Sequence, residues 1–331
     1  MISYILRRLV VAVFMMMGIA LVSFIVIKLP PGDYASRYEG YLLGRGATQE
    51  DADRAGEFIR KEYDLDKPVA TQFVLWAKGI VTEGKFGYSF AYGKDVGALI
   101  AERIPMTILL ALMTHAISTL VGVGLGIFVA PRKYGWWDNF FAILAFIFTS
   151  IPRFSLAIII LFVLVIVYNQ PSMVSLFSPQ YVFAPWSGGK VVDLFKHIWP
   201  VLIIAGLGGV ARNMRVMRGN LLDVLGAQYV QTARAKGLRE STVIMKHAVP
   251  NALHTIIAYQ GTALPYMFSG ELEAAIILGL PTLAPLFYEA LVNQDIYVSG
   301  SLLLIYGALI LMGNLLSDIF LAALDPRIRY S

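Results

Sequence analysis

Six long runs of uncharged, mostly apolar residues constrain this chain more than any other feature of its sequence. Five of them approach or exceed the ~20 residues that an α-helix needs to cross ~30 Å of hydrocarbon. The predicted membrane spans are residues 9–27, 104–130, 139–168, 198–211, 255–280 and 296–317. Because 57% of the residues are hydrophobic and only 15% are charged, the composition predicts an all-α integral membrane protein with about six transmembrane helices.

Three of the runs need an interpretation of their own. The third is interrupted by a kinking Pro152, which puts Arg153 near the middle of the span. The fourth has only 14 uncharged residues, and it crosses the bilayer if its helix continues into Arg212, Arg215 and Arg218 with their side chains snorkelling toward water. The first is interpreted as an uncleaved helix, because no small-x-small cleavage site follows it.

Lysines and arginines predict which side of the membrane each loop faces. With the N-terminus inside, the short cytoplasmic loops hold most of the cations, including seven between Arg212 and Lys246. Residues 30–103 hold ten Lys and Arg but twelve Asp and Glu, and loops longer than ~60 residues translocate largely regardless of charge. We therefore expect both termini to be cytoplasmic.

The segment between the first two spans is predicted to be a small, ordered extracytoplasmic cap. Residues 48–63 are helix-like, with Glu50 and Asp51 in the first turn, and glycines and tyrosines around residues 84–93 indicate turns. The expected organisation is an N-terminal end with the first span (1–30), the extracytoplasmic segment (31–103) and a core that holds the other spans (104–331).

Residue types that carry chemistry are largely missing. The sequence has no cysteine, its four histidines lack metal-ligand spacing, and it contains no Gly-x-x-x-x-Gly-Lys-Ser/Thr phosphate loop. The net charge of +5 is distributed by membrane side and not along a basic stripe with interleaved aromatics, which argues against nucleic-acid binding. We expect no catalysis, no metal and no cofactor in this chain.

A polar, basic segment, residues 219–252, separates two of the apolar runs. Residues 220–236 carry an apolar stripe at helical spacing, and Gly237 stands where that helix needs a left-handed C-terminal cap. A second short helix, residues 240–248, is predicted to end at Pro250. Such a segment fits either an amphipathic loop on anionic headgroups or a surface for a soluble cytoplasmic partner.

The spacing within this segment resembles a known signature. Gln231-Thr-Ala-x-x-x-Gly237, nine residues and His247-x-Val-Pro250 is similar to the EAA signature of ATP-binding-cassette (ABC) importer permeases: Glu-Ala-Ala, three residues, Gly, nine residues, Ile-x-Leu-Pro. Residues 229–238 resemble the form found in the dipeptide/oligopeptide/nickel permease family. Shorter likenesses to that family occur at residues 4–8, 31–33, 86–89, 103–107 and 325–329.

The resemblance implies a type I ABC importer permease fold, with this chain forming half of a translocation pathway in the bacterial cytoplasmic (inner) membrane and in contact with its lipid. The implied partners are a second homologous permease subunit, two cytoplasmic ABC ATPase subunits that bind ATP and Mg, and an extracytoplasmic solute-binding protein. The glycine turn would be the coupling helix that fits a groove on the ATPase. The residues implied in coupling are Gln231, Thr232, Ala233, Arg234, Ala235, Lys236, Gly237, Leu238 and Pro250. Arg234, Lys236 and Arg239 are expected to pair with acidic groups there.

Four positions depart from the family pattern. Gln231 and Thr232 stand where the consensus has Glu-Ala, and Arg239 stands where many members have a serine that could cap the second helix. Typical peptide permeases have a glutamate five residues before Pro281, where this chain has Ile276. We expect coupling to survive the first three changes and the chemistry of the pathway to differ because of the fourth.

Ionisable residues inside the predicted spans are candidates for the solute pathway, because a charge at the bilayer centre costs ~2.5–3.5 kcal/mol on insertion scales. Arg153 either lines the path or pairs with Glu271 or Glu273. The two glutamates either line the path or are solvated at its outer mouth. His115 is either a gate or proton relay, or a hydrogen-bonded residue that packs helices together.

The solute and the class of transporter both have alternatives. Oligopeptides or similarly sized solutes fit the resemblance best, oligosaccharides and opine-like solutes use the same machinery, and nickel lacks a His or Met cluster. A secondary transporter or channel could also use six spans, but it needs no basic helix-glycine-helix segment, and no inverted repeat is visible. The glycines at positions 122, 124 and 126 predict close helix packing rather than phosphate binding.

Overall fold

The computed structural model describes residues 2–170, 175–257, 259–260 and 272–324. It is built mostly of helices and has one short antiparallel hairpin, in which Tyr88 pairs with Asp95 and Ser89 with Lys94. The chain divides into two compact units, Met1–Met106 with Pro281–Leu311, and Thr107–Leu280 with Met312–Ser331.

The helices and strands follow one another with short connections. The chain begins with α1 (Ile2–Lys28), α2 (Tyr34–Gly44), α3 (Gln49–Glu62), α4 (Val69–Lys78) with a π-helical turn (Gly79–Glu83), β1 (Tyr88–Ser89), β2 (Lys94–Asp95) and α5 (Val96–Val129) with a 3₁₀ turn (Ala130–Arg132). Next come α6 (Trp136–Ser150), α7 (Arg153–Phe162) with a π-helical turn (Val163–Val167) and α8 (Gly188–Leu225). Then follow α9 (Gln228–Ala235), α10 (Glu240–Thr242) with a π-helical turn (Val243–Ala248), α11 (Val249–Ala252), α12 (Leu272–Ile277), α13 (Leu283–Val292) and α14 (Ile296–Leu324).

Aromatic side chains form much of the core of the first unit. Phe24 of α1 packs against Phe73 and Trp76 of α4, with ring centroids 5.6 and 5.5 Å apart. The Trp76 indole N–H donates to the Phe86 carbonyl at 2.9 Å, so the polar end of this ring is also satisfied. A second cluster joins the start of α5 to α13 and α14 through Val96, Leu99, Ile100, Leu283, Leu286, Ala290, Val298 and Leu302.

Side-chain caps begin the two helices of the 31–103 segment. Asp33 caps α2 by accepting a hydrogen bond from the Ser36 N–H at 2.8 Å. Thr48 caps α3 by accepting one from the Asp51 N–H at 3.2 Å. The helix predicted over residues 48–63 is therefore confirmed, with its acidic first turn next to the cap.

Arg60 joins α2 to α3 through a partly buried polar network. Its guanidinium donates to Asp33 Oδ2 at 3.1 Å, to Glu39 Oε1 at 2.8 Å and to Ser36 Oγ at 2.9 Å. Gly56 of α3 lies against this network, and a Cβ there would stand 2.7 Å from Glu39 Cγ. The two helices approach this closely because position 56 carries no side chain.

A buried carboxylate connects the hairpin to the start of α14. Asp295 is 0% exposed, and it accepts hydrogen bonds from Ser89 Oγ at 2.7 Å and from the backbone N–H groups of Ala91 and Val298 at 3.3 Å. Burial raises the pKa of Asp295, and these hydrogen bonds only partly oppose that shift. The turns predicted around residues 84–93 are present as this hairpin, anchored to a helix far along the chain.

Glycines let α5 and α8 pack closely in the second unit. A Cβ at Gly122 would lie 2.7 Å from Asn213 Cβ, and a Cβ at Gly126 would lie 2.6 Å from Met217 Cβ. The predicted packing role is therefore confirmed for these two glycines, which let the helices touch backbone to side chain. Gly124 differs, since nothing lies within 4 Å of the Cβ position there.

Four described helices are long and apolar enough to cross a membrane, and the bent pair α6–α7 raises the number to as many as five. The four are Leu6–Lys28, Val96–Arg132, Gly188–Leu225 and Ile296–Leu316. They correspond to the predicted first, second, fourth and sixth spans. The fourth forms part of a helix of 38 residues, so its expected continuation into the arginine series is confirmed. The predicted fifth span, residues 255–280, falls largely outside the described residues.

The third predicted span is broken rather than kinked at Pro152. α6 ends at Ser150, α7 begins at Arg153, and the two helices are bent by 93°. Proline disfavours helical backbone at the residue before it, and Ile151 is extended, with φ −80° and ψ 121°. Arg153 therefore begins a helix, and its predicted place in the middle of one span is wrong.

Candidate functional site

The predicted first helix of the basic segment is divided in two. The sequence predicts one helix over residues 220–236, but α8 ends at Leu225 and α9 begins at Gln228. The N–H groups of Gly226 and Ala227 bond to carbonyls of the last turn of α8 at 3.2 and 2.9 Å. Glycine is a weak helix former, so the helix ends there, while the apolar stripe continues across the break and conceals it in the sequence.

One face of α9 is buried. Val230 and Ala233 are 0% and 5% exposed, and they pack into a cluster shared with α8, α11 and the π-helical turn before α11. The buried members of this cluster are Ala130, Met217, Leu221, Val230, Ala233, Val243, Ala248, Val249, Ala252 and Ile256. This apolar contact fixes the orientation of α9 on the end of α8.

α9 ends in the left-handed turn that the sequence predicts. Gly237 has φ +74°, and its N–H bonds to the Arg234 carbonyl at 2.9 Å. The Lys236 N–H bonds to the Thr232 carbonyl at 3.1 Å. Nothing lies within 4 Å of the position that a Cβ would occupy on Gly237, so the backbone conformation, and not lack of space, requires glycine. The predicted C-terminal cap is confirmed.

An ion pair bridges the Gly237 turn. Arg234 Nη2 donates to Glu240 Oε1 at 2.7 Å, and Arg234 Nε donates to Glu240 Oε2 at 3.1 Å. The hydrogen bond from Arg234 holds the pKa of Glu240 below its ordinary value, and the same contact raises the pKa of Arg234. Arg234 Nη1 also donates to the Leu225 carbonyl at the end of α8, at 3.4 Å. Arg234 is thus engaged within its own chain.

The two residues that replace the consensus Glu-Ala make local hydrogen bonds. Gln231 Nε2 donates to the Leu225 carbonyl at 3.1 Å, and Thr232 Oγ1 donates to the Gln228 carbonyl at 2.9 Å. Arg239 occupies the N-cap position of α10 and makes no side-chain cap there, as expected for a position without serine.

The apex of the turn is exposed without interruption from residue 235 to residue 241. It presents the cations Lys236 and Arg239. The large apolar side chains exposed in and around the turn are Tyr229, Leu238 and Met245, at 46%, 41% and 56%. A protruding surface that combines cations with aromatic and aliphatic side chains is suited to docking another protein. We name this surface, residues 235–241 with Tyr229 and Met245, the apex surface.

The second helix of the segment does not end at Pro250, contrary to the prediction. α10 and its π-helical turn run directly into α11, in which Pro250 is the second residue. Proline is tolerated in the first turn of a helix, because the N–H it lacks has no intrahelical partner to lose there. The Asn220 side chain donates to the Ala252 carbonyl at 3.2 Å and ties α11 to α8.

A cavity of about 520 Å³ lies in the second unit, lined by the α6–α7 break, α8 and α12. Its ionisable lining residues are Arg153, Arg212, Arg215 and Glu273. Arg153 and Glu273, predicted either as pathway residues or as a structural pair, thus lie on one cavity. Glu271, the other predicted partner of Arg153, lies outside the described residues.

Two features orient the polar groups of this cavity. Arg212 Nη1 donates to the Tyr259 hydroxyl at 2.5 Å, and its guanidinium lies 4.2 Å from the centre of the Tyr259 ring. In the part of the chain that the structure describes, Glu273 Oε2 is buried without a hydrogen-bond partner. An orphaned carboxylate oxygen on a cavity wall is free to accept a hydrogen bond from a ligand.

His115 makes the contact that the helix-packing alternative predicts. Its Nε2 lies 2.5 Å from Gln260 Oε1, and Gln260 Nε2 donates to the Ile256 carbonyl at 3.0 Å. The imidazole therefore links α5 to the helical residues that follow α11.

Sequence reasoning missed the ion pair that ties α6 to α8. Arg218 donates to both carboxyl oxygens of Asp138, at 2.5 and 2.7 Å, and Asp138 is 2% exposed. The expectation that Arg218 snorkels to water is wrong, because a closer buried carboxylate is available. The available signal was a single acidic residue in the first turn of an apolar run, beside Trp136 and Trp137.

Membrane-length helices together with a cavity lined by charged residues define a polytopic membrane permease. Residues 122–330 match the family described as binding-protein-dependent transport system inner membrane component, and residues 1–111 match the N-terminal part of such membrane components. The chain therefore belongs to the family of inner membrane components of binding-protein-dependent transport systems.

Several relatives match this chain over nearly its whole length. It is 30% identical to the putative peptide permease protein of Brucella suis biovar 1 and to the oligopeptide transport system permease protein AppB of Bacillus subtilis, over 99% of each chain. It is 31% identical to the probable peptide ABC transporter permease protein of Sinorhizobium fredii, again over 99% of each chain. These matches confirm the resemblance to ABC importer permeases that the sequence motifs indicate.

Proposed function

We propose that this chain is the permease subunit of an ATP-driven importer of oligopeptides and forms half of its translocation pathway. The exposed, glycine-ended apex surface is the observation that carries the proposal, because a permease that only enclosed a pore would not need it. The relatives named as peptide permeases favour peptides over the oligosaccharide and opine-like alternatives.

The proposed complex contains a second homologous permease subunit, two cytoplasmic ABC ATPase subunits that bind ATP and Mg, and an extracytoplasmic solute-binding protein. Both termini of this chain are cytoplasmic in that arrangement. Residues 31–103 then face the solute-binding protein side of the membrane, in agreement with the distribution of lysines and arginines.

Coupling is assigned to residues 231–238, with Pro250 in the helix behind them. Lys236 and Arg239 pair with carboxylates of the ATPase, and Leu238 supplies apolar contact. Arg234 has a different role, because its pair with Glu240 holds the turn in shape and does not face the partner. The buried face of α9 keeps this short element rigid, so that movement of the ATPase is passed to α8 and not lost in a flexible loop.

The solute pathway is assigned to the cavity that Arg153 and Glu273 line, and Glu271 stays a candidate from the sequence alone. His115 is assigned to helix packing through its contact with Gln260.

The test is Gly237→Val in the complex reconstituted with its partner proteins. A β-branched residue at positive φ costs about 1–2 kcal/mol, and relief of that strain draws the turn away from its docking shape. We expect the variant to insert and assemble, while solute-stimulated ATP hydrolysis falls roughly 5–30-fold.

Gly46→Val is the matched control. Gly46 ends α2 with φ +90° and open space around its Cβ position, so the same substitution introduces a similar strain in the 31–103 segment. Coupling should be nearly normal in this control. Normal solute-stimulated hydrolysis in Gly237→Val would overturn the coupling assignment, and equal losses in both variants would show general instability in its place.

A further inference from the structure

The cavity of the second unit carries an excess of positive charge among the described residues that line it. Three guanidinium groups, of Arg153, Arg212 and Arg215, share it with the one carboxyl group of Glu273. Within the described residues the ion pairs include Arg218 with Asp138 but not Arg212 or Arg215. The positive charge of α8 is therefore neutralised at its cytoplasmic end and left available one to two turns earlier, at the cavity.

The depth of these arginines shows that they face water and not lipid. Arg212 and Arg215 lie 13 and 10 residues before the end of the membrane-length helix α8, which is about 20 and 15 Å at 1.5 Å per residue. A guanidinium in contact with hydrocarbon costs ~2.5–3.5 kcal/mol on insertion scales. Arg212 does not reach for the membrane surface, because its head group is held on Tyr259 by a hydrogen bond and by ring stacking.

The cavity also has the size and the polar groups of a solute site. Its volume of about 520 Å³ lies within the range of small-molecule pockets. The orphaned Oε2 of Glu273 offers an acceptor for an ammonium or hydroxyl group, and the arginines offer donor pairs that match a carboxylate. A free peptide carries one ammonium and one carboxylate, so every acidic side chain adds negative charge against the remaining positive charge of the cavity.

We propose that this cavity makes the importer selective for solutes with an excess of carboxylates, and in particular for acidic over neutral peptides of the same size. This inference rests on the proposed peptide import and names the solute property that the pathway reads. Arg212 and Arg215 are the specificity-determining residues, and their effect comes from charge, which is long-ranged in a water-filled path with low-dielectric walls.

The test compares uptake of two tripeptides that differ by one charge, Ala-Glu-Ala and Ala-Gln-Ala. The complete importer is reconstituted with its binding protein in vesicles of zwitterionic lipid, and ATP-driven uptake is measured for the parent, Arg212→Gln and Arg215→Gln. Because the same binding protein delivers both peptides, its own preference cancels when the ratio of acidic to neutral uptake is compared between variants.

We expect each glutamine variant to lower this ratio about threefold, the effect of losing one solvent-exposed ion pair. Arg212→Lys keeps the charge and should restore most of the ratio. Lys196→Gln is the matched control, since it removes an exposed cation of the same helix outside the cavity and should leave the ratio unchanged.

Three outcomes would overturn the inference. Equal loss of uptake for both peptides in the glutamine variants would assign the arginines a structural role. Loss that occurs only in vesicles with added anionic lipid, and equally for both peptides, would assign them to lipid phosphate. Unchanged ratios with normal uptake would leave peptide import intact and remove the selectivity, whereas a parent that takes up neither peptide would overturn the proposed function as well.

Discussion

The chain uses an arginine to hold short helices together in two places, and the two places differ in what they leave exposed. In the 31–103 segment, Arg60 joins α2 to α3, with side-chain exposure of 30% for Arg60 and 19% for both of its carboxylate partners. In the basic segment, Arg234 bridges the Gly237 turn, with exposure of 33% for Arg234 and 55% for Glu240. The first network is closed on itself, and the second is open at its edge.

This difference shows how one type of contact serves two purposes. Arg60 satisfies Asp33, Glu39 and Ser36 together, so the network consumes its charges and stabilises a folded cap. Arg234 uses a single carboxylate, and the neighbouring cations Lys236 and Arg239 remain on the apex surface. A segment built for internal stability pairs its charges, whereas a segment built for docking keeps some of them for another protein.

Gly56→Val should have the largest effect and should break the closed network. The new side chain would occupy the space of the Glu39 methylene groups, so the Arg60 pair cannot form without moving α2 from α3. We expect about 1–3 kcal/mol of local destabilisation, the usual cost of overpacking. The measurement is proteolytic protection of residues 31–103 in the detergent-purified complex, with Gly40→Val, which has open space at its Cβ position, as the control. Equal protection in both variants would contradict the close approach at Gly56.

Glutamine at each of the two arginines should sharpen the comparison. Arg60→Gln leaves three partly buried oxygens short of a donor and should lower protection of the 31–103 segment by about 1–2 kcal/mol. Arg234→Gln should cost at most about 0.5–1 kcal/mol, because its pair is more exposed, yet it should reduce solute-stimulated ATP hydrolysis. The measurements are hydrogen exchange in each segment and ATPase coupling in the reconstituted complex. A coupling defect in Arg60→Gln with none in Arg234→Gln would reverse our assignment of the two roles.

Acid should produce the smallest effect and should act first on the closed network. Burial alone would raise the pKa of Asp33, but hydrogen bonds from Ser36 and Arg60 outweigh it and hold that pKa below its ordinary value. A carboxylate with a lowered folded pKa contributes stability above its unfolded value near ~4, and the contribution is lost as the pH falls through the folded pKa. The same sign holds for Glu240, with a smaller expected amplitude because Glu240 is more exposed.

Exchange protection of residues 31–103, corrected for intrinsic rates, should therefore decline between pH 5 and pH 3, an interval set by the ordinary carboxyl value of ~4. Arg60→Gln should flatten this profile, since it removes a donor that lowers the pKa of Asp33. A profile of the same steepness in that variant would show that other carboxylates are responsible.

The sequence predicts the parts of the fold that depend on local rules. The left-handed turn at Gly237 follows from glycine after an apolar helical stripe, and the helix after Thr48 follows from a cap residue with acidic neighbours. The close packing at Gly122 and Gly126 follows from small residues four apart in an apolar run. Each of these signals lies within a few residues of the structure that it specifies.

The sequence fails where a distant partner or a competing hydrogen-bond pattern decides. Arg218 reads as a snorkelling cation until α6 brings Asp138 to it, and Arg234 reads as a partner-facing cation although Glu240 lies just across the turn. Pro250 reads as a helix end, but the π-helical turn before it lets the helix start again as α11. The 520 Å³ cavity is absent from any pattern, because helices far apart in the sequence line it.

The glycine contacts between α5 and α8 have a mechanical consequence. α8 has 38 residues, about 57 Å at 1.5 Å per residue, and it holds Pro200 and several glycines that would make a lone helix bend easily. Beyond Pro200, α5 lies against it like a splint, with contacts at Gly209, Gly122 and Gly126 too close to slide past one another. A load applied at the cytoplasmic end of this two-helix beam would therefore be carried along its length to the cavity wall, with little lost to flexing on the way.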